Sequence, residues 1–138
     1  LSKLKLVKDD VSYDVSKILS VALAHAVGME DASRIERFIE AMAGRSLGEL
    51  VYDDIKRAIE YLELALGTST PKVISKLIKA LIDYSNCDIS LDYGKKNDKY
   101  EALELAIKDL IKCLKGRSRR SKEVTNKLLK ELQSKRGK

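Results

Sequence analysis

One histidine, one proline, one phenylalanine and no tryptophan occur in these 138 residues, and each scarcity removes a class of function. With His25 as the single imidazole and Cys87 and Cys113 as the two thiols, no pair stands at the spacing of a zinc site, so no metal is expected. A nucleophile–base pair would need His25 to meet one of two distant cysteines, and Cys113 falls on the apolar side of its segment, where it reads as core. Two cysteines permit one bridge, and a reduced, cytoplasmic chain is the simplest reading. No apolar run approaches the roughly 18 to 20 residues of a membrane span. The opening Leu1 to Val7 is too short and too charged for a signal peptide. Membrane partners are therefore not expected. The six tyrosines and one phenylalanine all precede residue 101, which denies the C-terminal part any base-stacking platform.

The chain does have charge, unevenly placed. Residues 112 to 138 hold eleven Lys or Arg against two acids, net +9, while residues 1 to 111 hold sixteen against nineteen, net −3. A balanced body with a basic end is suited to meeting a polyanion there. At 44% hydrophobic and 35% charged residues, the composition is that of a folded, helix-rich chain and not of a disordered one.

Apolar periodicity and its punctuation predict an all-α bundle of five to six helices. The first runs from about Val11 to Val27, with Val15, Ile18, Leu19, Ala22, Leu23 and Ala26 on one face and Gly28 as its cap. The second, Ala32 to Ala43, ends at Gly44. The third starts at Ser46, with Glu49 at capping-box spacing, and continues to Leu66. Thr70-Pro71 reads as an N-cap with proline at the first helical position, opening a fourth helix. Cys87 to Tyr93 alternates as a strand would, and pairing of residues 88–93 with residues 3–6 predicts a minor two-stranded element. Asp98 opens a fifth helix, which Gly116 ends. After the turn Arg117 to Arg120, Ser121 caps a last helix whose stripe of Val124, Leu128, Leu129 and Leu132 docks it on the bundle. The domain reading is accordingly a bundle of residues 1–116 with a basic helix or tail, residues 117–138, docked on it.

The candidate binding residues are Lys112, Lys115, Arg117, Arg119, Arg120, Lys122, Lys127 and Lys130, joined by Lys72, Lys76 and Lys79 on one face of the fourth helix. Clustered Lys and Arg without aromatics fit sequence-independent contact with a single-stranded DNA or RNA backbone. The acid pair Asp53 and Asp54 lacks a third carboxylate for a metal and reads as surface charge or as partners of Lys56 and Arg57. Gly44 to Gly48 lacks the strand and the Gly-Lys-Ser/Thr of a phosphate loop. No Arg precedes His25, which excludes the Arg-to-His spacing of helical HEPN-type nucleases. Neither an enzyme nor a cofactor is expected.

The stretches Asp10 to Ala24, Arg34 to Met42 and Leu50 to Arg57 resemble the small α-helical subunit of archaeal type I-A CRISPR interference complexes, of the Cascade type. The resemblance covers about the first half of the chain. It implies a non-catalytic antiviral-defence subunit that contacts neighbouring Cas subunits and helps hold guide RNA, target strand or displaced strand through basic surface. Self-association is compatible with that role. Two other classes fit the same residues: a DNA-binding regulator with the last two helices as a helix-turn-helix, and a protein-binding helical adaptor.

Overall fold

In the computed structural model the backbone is described for residues 2–136, and side chains for residues 11–93, 95–117 and 123–133. Among the described residues there are six α-helices and two 3-10 segments: α1 Ser2–Val27, α2 Met29–Ala43, α3 Leu47–Asp53, α4 Ile55–Leu66, a 3-10 turn Gly67–Ser69, α5 Thr70–Ser85, a second 3-10 turn Leu91–Lys95, and α6 Lys99–Arg136.

Local chemistry sets each boundary. Gly28 alone separates α1 from α2: its N–H donates to the Ala24 carbonyl and its carbonyl accepts from the Ala32 N–H. Its φ of +93° suits a residue without Cβ. The chain folds back there, and Ser20 of α1 donates to Glu36 of α2 at 2.6 Å. Ser46 caps α3 as its spacing predicts, accepting from the Glu49 N–H at 3.2 Å. The third predicted helix is divided in two, because Asp54 leaves the helical region (φ −152°, ψ 87°) and its carboxylate accepts from the Arg57 N–H to begin α4. Thr70 is already helical (φ −51°, ψ −51°). Its hydroxyl donates to the Gly67 carbonyl, so it is part of α5 and not its cap.

The predicted two-stranded element is absent. Residues 3–6 belong to α1, residues 91–95 form a 3-10 turn, and no strand occurs among the described residues. The alternation that suggested a strand has another cause. Cys87 and Ile89 turn inward onto the core while Asp88 and Ser90 face solvent, so one extended stretch covers the bundle without a partner. A disulfide joins Cys87 to Cys113, with Cα atoms 5.9 Å apart, which corrects the reading of both cysteines as reduced. The left-handed Asn86 (φ 55°) that ends α5 turns the chain so that Cys87 meets α6.

The largest correction concerns Gly116. The sequence places a helix end there and a basic turn at residues 117–120, yet α6 runs unbroken from Lys99 to Arg136. One interior glycine costs about 1 kcal/mol relative to alanine. The turns before it are held by buried Leu110 and Leu114 and by the disulfide. The turn after it is held by Arg117, which donates to the Asn86 carbonyl. The boundary drawn between residues 116 and 117 therefore falls inside one helix, and no turn exists there for a helix-turn-helix.

The core lies where α1 and α6 each meet α5. Val15, Leu19, Leu23, Leu77, Leu81, Leu103, Ile107 and Leu110 are all buried there, each stabilising by about 1.5–3 kcal/mol through loss of apolar contact with water. Gly48 admits a close approach between helices: a Cβ built on it would lie 1.7 Å from the Ser16 Oγ and 2.6 Å from the Ser16 Cα. That position brings α3 against α1.

Candidate nucleic-acid and partner interface

α6 changes character along its length without changing direction. Over its first half Leu103, Ile107, Leu110 and Leu114 are buried in the bundle. Past Arg117 every described side chain, from residue 123 to residue 133, is exposed. The second half of the helix is an arm standing clear of its own bundle.

Helical periodicity relates the two halves. Leu128 follows Leu110 by eighteen positions, about five turns, so it stands on the same side of the helix about 27 Å further out. Val124 and Leu132, one turn to either side, complete an apolar stripe that continues the buried face of α6 into solvent. The sequence predicts that this stripe docks the helix on the bundle. It does not: Val124, Leu128, Leu129 and Leu132 are 51–59% exposed. An unbroken helix cannot fold back, so the bundle that covers Leu110 is out of reach of Leu128.

The same arithmetic phases the charges. Lys130 follows Lys112 by eighteen positions and shares its side of the helix, and Lys127 is one turn before Lys130 and slightly rotated from it. All three are exposed; Lys112 and Lys130 lie on the side opposite the apolar stripe, and Lys127 lies on its flank, about 60° from Val124. Arg119, Arg120 and Lys122 lie in the backbone of α6 between them, with side chains outside the described residues. Two of the predicted binding residues are engaged elsewhere. Arg117 holds the Asn86 carbonyl, and the Lys115 ammonium lies 5.5 Å from the centre of the Tyr52 ring, a cation–π distance. Lys72, Lys76 and Lys79 are exposed on α5, in line with Asp83. They stay on the bundle, on a different element from the arm.

The remaining polar candidates have structural partners. His25 stacks on Tyr84, ring centres 4.4 Å apart. Asp53 pairs with Arg45, whose guanidinium is held above its ordinary pKa mainly by that hydrogen bond. Tyr93 donates to Asp109 at 2.8 Å, which pins the second 3-10 turn to α6. That bond is also the main cause of the raised pKa of the Tyr93 hydroxyl. Among the described residues no group of three or more His, Cys, Asp or Glu could hold a metal ion, and no helix is long and apolar enough to cross a membrane.

The arm as a unit escaped the sequence reading because Gly116 and the Arg/Ser run after it imitate a helix end. The signal that reveals it is the equal phase of Leu110 with Leu128 and of Lys112 with Lys130, which a real break would have no reason to preserve. The disulfide had no comparable signal. No protein-family model matches this chain, and no curated protein or solved structure shows significant similarity to it. The fold and site define it as an all-α bundle bearing a long, basic, amphipathic helical arm.

Proposed function

We propose that this protein is a non-catalytic subunit that binds a nucleic-acid backbone through the basic side of its α6 arm, within a larger assembly. The observation that carries the reading is the alignment of Lys112 with Lys130, flanked by Lys127, along one helix whose outer half, which carries Lys127 and Lys130, stands free of the bundle. Three cations spread over about 27 Å match a run of phosphates and release their counterions on contact. The absence of aromatic residues beyond Tyr100 favours contact blind to sequence. The role is the one implied by the resemblance to small subunits of type I-A CRISPR interference complexes, with single-stranded DNA or RNA as ligand and neighbouring Cas subunits as partners. A cytoplasmic location belongs to the same proposal. The Cys87–Cys113 bridge is compatible with it in a hyperthermophile, whose intracellular proteins are often disulfide-rich.

Fluorescence anisotropy over a salt series tests the proposal, comparing the parent chain with a Lys112→Gln, Lys127→Gln, Lys130→Gln variant on single-stranded DNA, duplex DNA and RNA. The variant is expected to bind every sequence more weakly. The slope of log K against log salt should fall by about 2 on single strands, and closer to 3 on a duplex. Equal affinity of the two proteins at matched salt would remove these three lysines from nucleic-acid binding.

A further inference from the structure

Among the described residues nothing covers the apolar side of the arm, and the bundle has an open groove of mixed apolar and polar lining that the described part of its own arm does not enter. That groove, about 280 Å³ in volume, lies where the junction of α1 and α2 meets the junction of α4 and α5. Val27, Ile35, Ala65, Leu66 and Val73 form its apolar floor and walls, with Asp31 at its rim. Arg34, also at the rim, stands 3.9 Å from Asp31, so the rim carries no net positive charge from that pair.

We infer that the groove of one copy receives the arm of a second copy of this chain. The occupant has to supply aliphatic side chains from a preformed helix, and the arm presents Val124, Leu128 and Leu132 in that form. Charge disfavours the alternative pairing of arm with arm, and the groove rim, with Asp31 beside Arg34, adds no repulsion of its own. The segment from residue 112 onward carries net +9 and the preceding body net −3, so arm against body attracts, whereas arm against arm would bring two strongly cationic helices together. Along the described part of the arm this attraction goes unsatisfied within one chain, because α6 is continuous and side chains 123–133 are exposed.

Arm and groove are different surfaces, so the contact is heterologous. Each copy that offers its arm still has a vacant groove, and assembly proceeds head to tail until a ring closes or a chain of copies grows. One helix face in one groove buries less than the roughly 1,600 Å² of a standard interface, so association is expected in the micromolar range or weaker. This inference uses the leucines of the arm and the nucleic-acid proposal its lysines, so each can fail without the other.

Sedimentation velocity from micromolar to sub-millimolar protein, without nucleic acid, tests it with two kinds of variant. Leu128→Gln with Leu132→Gln disables the arm at exposed positions and leaves every lysine in place. Ser69→Trp fills the groove from an exposed rim position, and Asp31→Lys is a second groove variant that reverses the charge at its rim. The parent chain is expected to grow in average mass with concentration, and each variant alone to stay monomeric. Mixing the arm variant with a groove variant should give a one-to-one pair that grows no further, since only one intact arm and one intact groove remain. That pairing also shows both variants to be folded. The inference is overturned if the parent chain is monomeric throughout, if both groove variants assemble as the parent does, or if the mixture stays monomeric.

Discussion

Opening the Cys87–Cys113 bridge should destabilise the fold by an amount that follows from the loop it closes. The two residues are 26 apart in sequence. The chain-entropy relation for a loop of that length gives about 3.5 kcal/mol at 25 °C, acting on the unfolded chain. The native state gains little freedom on reduction, because the same connector is held by buried Ile89, by the Tyr93–Asp109 hydrogen bond and by Arg117 on the Asn86 carbonyl. With an unfolding entropy typical of a chain this size, the loss corresponds to a Tm lower by about 12 °C. Denaturant melts followed by far-UV circular dichroism, for the oxidised protein and for the Cys87→Ser, Cys113→Ser variant, read the difference directly. Helix content should be unchanged in the variant and the midpoint markedly lower. Equal midpoints, or two thiols that titrate freely in the native protein, would refute the pairing and the argument built on it.

Gly48→Ala should be among the more destabilising single substitutions, by about 2–3 kcal/mol in a denaturant melt, because its Cβ meets Ser16 and overpacks the contact between α1 and α3. Ser16→Gly should not rescue it, since the Ser16 backbone Cα is itself 2.6 Å away. Two leucines on one side of α6 should behave oppositely. Leu110→Ala should cost about 2–5 kcal/mol as a buried truncation, and Leu128→Ala less than about 0.5 kcal/mol at dilute concentration, as an exposed one. Comparable losses would mean that the arm is packed on its own bundle.

The bundle was legible in the sequence because most of its signals are local. The stripes Val15–Leu19–Leu23 and Leu77–Leu81 fall at helical spacing, Gly28 and Gly44 lie between helices, and Ser46 and Asp98 each accept from N–H groups of the first turn that follows. Where tertiary contacts decide, the reading failed. At Asp54 a carboxylate that reads as surface charge interrupts a continuous apolar period and restarts a helix. At residues 87–93 an in–out alternation reflects burial of Cys87 and Ile89 against helices and not a strand partner. At Gly116 propensity marks an end, but Arg117 and the Cys113 bridge carry the helix through. The cluster of basic residues was visible from the start. Its division into an arm facing solvent, a Lys115 over Tyr52 and an Arg117 tied to α5 was not, because that depends on which helix passes beside which.

Both the proposed binding face and the inferred docking stripe rest on α6 being one helix across Gly116. Spin labels at positions 108 and 130, with the native disulfide intact, measure this by pulsed dipolar spectroscopy. A continuous helix predicts a narrow distribution about 33 Å apart between the two backbone positions. A broad distribution at much shorter distance would show the chain breaking near Gly116 and folding back on the bundle, and would contradict the account.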